Sequence, residues 1–277
     1  MSKRKLFTDQ NILDALEEAE GSNRVAAHIL TCESGRKVSR QNVEGWAKSL
    51  RTTKRVGIIG DTHLPYELDG YLEFCVETFK KHKVDTVVHI GDLVDHHALS
   101  FHDSEPTLKG AKGEMMDARE RLKPWYEAFP KLILINGNHD LIPARQLTKI
   151  GMDAEVWMRP ISDVYGFPKG WSVEDEIEID GVLYHHGYTS NGVNGFRNDS
   201  KARMVSTVSG HCHGNAGVSA TACHHRLVWG MAVGCGVDNK TMAMAYGKNF
   251  KNKPIISCGI VIDGKYPTVE YLDLGEW

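Results

Sequence analysis

The sequence predicts an α/β domain behind a small all-α bundle. Short apolar runs alternate with helical stretches from Arg55 onward, the texture of a sheet with helices on its faces. The first fifty residues carry helical periodicity only. In the second half, Asp180-Gly181 and Asp263-Gly264 sit between apolar runs as hairpin turns.

In the bundle, Ile12, Leu13, Leu16 and Ala19 fall at helical spacing behind Thr8 or Asp9 as N-cap. Gly21-Ser22-Asn23 breaks that pattern, and Val25, Ala26, Ile29 and Leu30 form a second stripe. A turn near Glu33-Ser34-Gly35 follows, and Ser39 caps a third helix carrying Val43, Trp46, Ala47 and Leu50. The last two helices match a helix-turn-helix layout, with a turn, Thr31 to Val38, longer than the usual three or four residues. Asn11–Leu16, the turn near Gly21 and then Ser39 to Trp46 resemble the helix-turn-helix segments of bacterial regulators. That resemblance implies that Arg40, Gln41, Asn42 and Lys48 face DNA, because Arg, Gln and Asn suit base edges and Lys suits phosphates. A protein-interaction or packing bundle is the other reading. The bundle is assigned residues 1–52, and the larger domain 53–277.

Within the larger domain, strands are expected at Val56–Gly60, Thr86–Ile90 and Lys131–Ile135, and helices over 71–82 and over 113–129, the latter interrupted by Pro124. Further strands are expected at Val173–Ile179, Val182–His185, Val205–Ser209, Arg226–Val233, Ile255–Ile262 and Thr268–Leu274. Residues 95–112 and 188–204 read as polar loops, with Arg197, Lys201 and Arg203 as candidate anion-gripping groups. Trp157, Trp171 and Trp229 are expected in the core, and His224-His225 in a structural hairpin.

Composition bounds the function. With 277 residues, 41% hydrophobic and 25% charged, the chain suits one large domain plus a small one. No apolar run reaches about 18 residues, so no membrane partner is expected. Met1 to Asp9 lacks the apolar stretch of a secretory signal, and six cysteines without paired spacing read as reduced thiols. The expected location is therefore cytoplasmic. Residues 1–55 hold eleven Lys/Arg against seven Asp/Glu, whereas the remainder holds 22 against 29. A basic head on an acidic body fits a polyanion partner for the head, or an ordinary solvated surface.

The chemistry sits where strands end. The first expected strand runs into Gly60-Asp61-Thr62-His63, the second into Gly91-Asp92-Leu93-Val94-Asp95-His96, and the third into Asn136-Gly137-Asn138-His139-Asp140. Two later strands end in His185-His186-Gly187 and Gly210-His211-Cys212-His213. Ligands of α/β sheets bind at such carboxyl ends. Asp carboxylates, imidazoles and an Asn carbonyl make a mixed oxygen/nitrogen shell without thiolate, which suits manganese, iron or zinc. Cys212 is excluded because strand-like alternation turns it away.

The ordered series Asp61-x-His63, Gly91-Asp92, Gly137-Asn138-His139-Asp140, His186-Gly187 and Gly210-His211-x-His213 resembles the signature of calcineurin-like metallophosphoesterases, over residues 55 to about 275. The resemblance implies a sandwich of two β-sheets flanked by helices. It implies that Asp61, His63 and His213 hold one metal, that Asn138, His186 and His211 hold a second, and that Asp92 bridges them. It implies two divalent cations, manganese first, with iron, zinc, nickel or magnesium as alternatives. Two such ions about 3.5–4 Å apart can share and activate a water as a bridging hydroxide and clamp phosphoryl oxygens. The resemblance also makes His139 the proton donor to the leaving group, with Asp95 as its orienting catalytic partner. His185 is then packed behind the ligands.

His96 stands where phosphoprotein phosphatases carry an arginine, which argues against that activity; His96 or His97 could grip phosphate, or sit plainly at the surface. The expected enzyme is a metal-dependent phosphoesterase acting on a phosphodiester, with nucleic acid favoured by the helical head. A phosphomonoesterase or a small-nucleotide phosphodiesterase is the alternative within hydrolases. A DNA-binding regulator with a vestigial catalytic body is the alternative outside them. Oligomeric state has no signature in the sequence.

Overall fold

The computed structural model describes residues 6–50, 54–101, 107–187, 192–238 and 253–275. The chain forms two compact units, Met1–Thr53 and Lys54–Trp277. The residue 52 boundary of the sequence reading falls outside the described residues.

The first unit holds helices Asp9–Glu18 (α1), Asn23–Ser34 (α2) and Arg40–Leu50 (α3). Thr8 and Asn11 cap α1 reciprocally: the Asn11 N–H donates to Thr8 Oγ1 at 3.1 Å, and the Thr8 N–H donates to Asn11 Oδ1 at 2.9 Å. Ile12, Ala15, Ala26, Ala27, Leu30, Val38 and Val43 are buried together as a separate core. Helix α2 outlasts its apolar stripe. The hydroxyls of Thr31 and Ser34 donate back to the Ala27 and Leu30 carbonyls at 2.6 and 2.7 Å, and Gly35 ends the helix in the left-handed region. The connection to α3 is therefore Gly35–Ser39, shorter than the sequence pattern suggests.

The second unit holds two sheets. One runs in the order Tyr266–Tyr271 (β11), Ser257–Ile262 (β10), Arg55–Ile59 (β1), Thr86–His89 (β2), Leu132–Ile135 (β3) and Trp171–Glu174 (β4). The strands β1 to β4 are parallel neighbours, and β10 pairs antiparallel with β1. The other runs Glu176–Ile179 (β5), Val182–His185 (β6), Ser206–Ser209 (β7), Arg226–Val233 (β9) and Ala216–Cys223 (β8), with β6, β7 and β9 parallel. Val56, Ile58, Val88, Ile90 and Ile135 of the first sheet pack with Val182, Tyr184, Val208, Met231 and Val233 of the second. The other face of the first sheet buries Ile59, Leu134 and Ile260 against Phe79, Leu122 and Trp125, from helices Tyr71–His82 (α4) and Ala111–Ala128 (α5). Parallel strands covered on both faces explain the continuous apolar runs of β1 to β3.

Several expectations need correction. Val173–Ile179 is not one strand: the chain turns at Asp175 so that β4 closes one sheet and β5 opens the other. Helix α5 runs through Pro124 without a break. Helices Ile142–Lys149 (α6), Ala154–Trp157 (α7), Ile161–Tyr165 (α8) and Gly195–Arg203 (α9), and strand β8, are additional to the elements expected from the sequence. Trp171 and Trp229 are buried, but Trp157 is 67% exposed. Asp180-Gly181 and Asp263-Gly264 have positive φ at both residues, as a two-residue hairpin turn requires. His224-His225 forms the turn between β8 and β9. Among the described residues no helix is long and apolar enough to cross a membrane.

Candidate metal centre

Five loops converge at the carboxyl ends of β1, β2, β3, β6 and β7, so that both sheets contribute. Backbone bonds tie the loops together before any side chain is considered. The N–H groups of Thr62 and His63 both donate to the Asp92 carbonyl, at 3.1 and 2.9 Å, and the Gly210 N–H donates to the His186 carbonyl at 3.0 Å. Tyr71 of α4 accepts from the Gly60 N–H at 3.1 Å and donates to the Ser257 carbonyl at 2.8 Å, fixing the exit of β1.

The ligand atoms of Asp61, His63, Asp92 and His213 lie within 4.8 Å of one another, and so do those of Asp92, His186 and His211. Asp92 belongs to both groups. Its Oδ2 stands 3.2 Å from His186 Nε2 and 3.5 Å from His63 Nε2, while Oδ1 accepts the His139 N–H at 2.7 Å. Asn138 Oδ1 is 3.0 Å from His186 Nε2. All seven residues that the sequence singled out as ligands are thus brought together.

Hydrogen-bond partners fix which ring nitrogens face the centre. His186 Nδ1 faces the Ile90 carbonyl at 3.0 Å and must donate, so Nε2 is the nitrogen turned toward Asn138 Oδ1 and Asp92 Oδ2, holding a proton there or, once that proton leaves, a lone pair for a cation. His63 Nδ1 donates to Asp95 Oδ1 at 2.6 Å, so its Nε2 lone pair faces His213 Nε2 at 3.1 Å. His213 Nε2 also approaches Asp61 Oδ2 at 3.1 Å. Asp61 Oδ1 is buried and accepts no hydrogen bond among the described residues. Converging imidazole nitrogens and carboxylates, one of whose oxygens has no partner among the described residues, suit cations, and the oxygen/nitrogen donors without thiolate fit two divalent ones. The glycines make room. A Cβ on Gly137 would lie 2.2 Å from Asp92 Oδ1, and one on Gly210 would lie 2.3 Å from Asp61 Oδ1.

The histidines and carboxylates shift one another. Burial opposes charge on His186, but Asp92 and Asp61 outweigh it and hold the imidazole up at about 9. Burial likewise disfavours the ionised Asp92, yet His186, His139 and His63 hold its carboxyl well below the usual range. His63 and His211 are depressed, mainly by burial.

His139 stands at the rim. Its Nδ1 donates to the Asp95 carbonyl oxygen at 2.7 Å and lies 3.1 Å from Asp95 Oδ1. Burial works against its protonation, but Asp95 and Asp92 hold it up at about 10. Asp95 therefore orients His139 largely through its backbone, while its carboxylate makes the shorter bond to His63. His96 departs from both sequence readings. Its Nδ1 donates to the His139 carbonyl at 2.9 Å, and its Nε2 accepts from the Tyr165 hydroxyl at 2.8 Å, so neither nitrogen is left for phosphate. His97 is buried 4.0 Å from Asp95. His185 packs behind the ligands, 2.8 Å from Asp199 of α9. Asp199 also takes Arg203, at 3.1 Å, which gives Arg203 a structural partner. Cys212 does lie outside both ligand groups, but because it sits in a turn after His211, whose φ is +66°, and not through strand alternation.

Three supporting residues carried no signal of their own. His89 is buried beneath the loops, accepting from the Gly91 N–H at 3.3 Å and meeting Thr62 Oγ1 at 3.0 Å. Burial holds it down at about 3, so it stays neutral. Asp140 accepts from the Gly137 and Val94 N–H groups at 2.9 and 3.1 Å, with its carboxyl raised to about 6 by burial and by Asp92. Glu114 of α5 accepts from the His97 and Ala98 N–H groups at 2.6 and 2.9 Å. Only Asp140, inside the Gly137–Asp140 block, could have been found by motif.

In α3, Arg40 and Gln41 are exposed. The Asn42 side chain accepts from the Ser39 N–H at 3.2 Å and Oγ at 2.8 Å, which uses its oxygen for capping instead of base contact. The side chain of Lys48 lies outside the described residues.

Comparison with known proteins follows this geometry. The family model for calcineurin-like phosphoesterases matches residues 54–215, more than half of the chain. The chain belongs to that family. Membership of the calcineurin-like phosphoesterases implies a metal-dependent phosphoesterase hydrolase, and together with the donor set it points to divalent metal ions. The two sheets flanked by helices are the metallophosphoesterase arrangement. Among solved structures, an archaeal phosphodiesterase is 18% identical over 79% of this chain and 99% of its own, with a TM-score of 0.40. Vacuolar protein sorting 29 from Cryptosporidium parvum is 14% identical over 81% and 94%, with a TM-score of 0.40. Yfce, a phosphoesterase from E. coli, is 15% identical over 74% and 87%, with a TM-score of 0.36. No curated protein matches the sequence.

Proposed function

We propose that this phosphoesterase hydrolyses a phosphodiester, with nucleic acid as the substrate class, at two divalent ions held by Asp61, His63, Asp92, Asn138, His186, His211 and His213. The observation that carries the proposal is the convergence of the His63, His186, His211 and His213 nitrogens with Asp92, beside an Asp61 Oδ1 that has no hydrogen-bond partner among the described residues. Manganese is the first candidate. Two divalent ions there would supply an activated water and neutralise phosphoryl charge.

The chain's own residues supply the rest. His139, held through Nδ1 on the Asp95 carbonyl, keeps Nε2 free for the leaving oxygen and donates its proton there. Asp95 is a positioning residue for His139 and His63 together. His96 and Tyr165 hold the His139 backbone from the far side. The exposed Arg40 and Gln41 on α3 support the reading of the bundle as a nucleic-acid contact.

The test is a substrate panel. Manganese-loaded chain is given bis(p-nitrophenyl) phosphate, p-nitrophenyl phosphate, and single- and double-stranded DNA. Diester and DNA cleavage is expected; cleavage of the monoester alone would overturn the proposal.

A further inference from the structure

The rim beyond His139 is built from two segments that leave the site side by side. One is Asp95 to Phe101, which includes the 3-10 turn His97–Leu99; the other is His139 to Lys149, ending in α6. They are stitched together near the site by His139 Nδ1 on the Asp95 carbonyl and His96 Nδ1 on the His139 carbonyl. Farther out, Gln146 Nε2 donates to the Leu99 carbonyl at 2.6 Å. Beyond that stitch the two segments meet at one cluster. The Arg145 guanidinium lies 4.9 Å from the centroid of the Phe101 ring, and the Lys149 ammonium 5.3 Å.

Two features mark this cluster as more than a solvated helix face. Arg145 and Lys149 are like charges at i and i+4, an arrangement that destabilises a helix. Neither has a carboxylate within ion-pair distance among the described residues, and both instead lie over one aromatic ring. The electron-rich face of Phe101, itself 43% exposed, gathers the two cations in place of an acid. A pair of cations gathered on one ring, with no counter-charge among the described residues, suits an external anion.

Distance selects the class of anion. Along α6, Arg145 and Lys149 lie about 4.5 and 10.5 Å beyond Ile142, itself three residues past His139. An anion that reaches from the metal centre to both cations must follow the rim past His139, which suits an extended polyanion better than a compact monoester. An aromatic ring among cations that track a backbone is how single strands are bound without sequence preference.

We infer that Phe101, Arg145 and Lys149 form the seat of a single nucleic-acid strand running out of the metal centre past His139. This rests on the phosphodiesterase reading above.

The full-length chain, its R145A/K149A and F101A variants and a charge-keeping R145K variant test it with fluorescein-labelled oligothymidylate. Anisotropy is read without metal across a salt series, and kcat and KM are read with manganese. R145A/K149A should raise Kd and KM for the oligonucleotide about 10- to 100-fold with kcat little changed. Its log Kd against log salt slope should fall by about 1.4, two contacts at about 0.7 each. F101A should weaken binding about 3- to 10-fold, R145K should keep most of it, and kinetics on bis(p-nitrophenyl) phosphate should stay at the wild-type level. Unchanged Kd, KM and salt slope in R145A/K149A, with wild-type diester hydrolysis intact, would overturn the seat and leave the phosphodiesterase standing. Wild-type binding of duplex in preference to the single strand would overturn the single-strand assignment. Absence of diester hydrolysis by the wild type would instead strike the underlying proposal.

Discussion

His139 shows how little chemistry a side chain needs once its surroundings are arranged. A carbonyl accepts the hydrogen bond of its Nδ1–H, a carboxylate sits 3.1 Å from the same nitrogen, and its own backbone N–H anchors Asp92. Replacing it by alanine keeps that backbone N–H. Metal content of H139A is therefore expected to match wild type, while kcat falls about 10²- to 10⁴-fold, the range for a lost general acid. Elemental analysis beside steady-state kinetics checks both halves, and a variant that loses metal along with activity would contradict the assignment. The candidate ligands were legible in the sequence because each sits in a short block that follows an apolar strand and carries a glycine. What surrounds His139 was not. Which of Asp95's oxygens serves His139 and which serves His63 depends on loop positions no local pattern encodes, and the binding of His96 to Tyr165 spans 69 residues of sequence.

The elements that support the site differ in how visible they were. Strands β1 to β3 are buried on both faces and read as plain apolar runs. The change of sheet at Asp175 was invisible, since β4 and β5 share one apolar alternation and only tertiary pairing separates them; Asn136 Nδ2, from the loop that carries Asn138, holds Asp175 Oδ1 at 2.9 Å. Helix α9 was missed because the residues it buries are Gly195, Asp199 and Ser200, which make no apolar stripe. Helix α5 reaches the site through Glu114, and this gives an element-level prediction. Burial raises the Glu114 carboxyl to about 7, against the two N–H groups that hold it down. The folded state therefore binds a proton that the unfolded state, near 4.5, has released. The stabilisation is present below about pH 4.5 and is lost as pH rises through about 7. The E114Q variant imitates the protonated acid, so thermal melts of wild type relative to E114Q should worsen from pH 5 to pH 8. A difference constant over that window would contradict the shift.

At the level of the molecule, the two units have separate cores. Ile12, Leu30 and Val43 belong to the first, and every residue of the metal centre lies in the second. Removal of residues 1–53 should thus leave bis(p-nitrophenyl) phosphate hydrolysis within about twofold of the full chain; loss of that activity would mean the bundle is part of the catalytic domain. The order of the five ligand blocks along the sequence revealed the family before any coordinates. The division of the chain in two was visible as a change of periodicity near Arg55. The rim around Phe101, Arg145 and Lys149 was not visible, because its two halves are more than forty residues apart in sequence.

All of this depends on seven side chains holding a pair of ions. The direct measurement is the metal content of the folded chain after incubation with excess manganese and desalting. Two manganese ions per chain are predicted for wild type, falling to at most one in D92A, which removes the shared carboxylate. A folded wild-type chain that retains none would contradict the account.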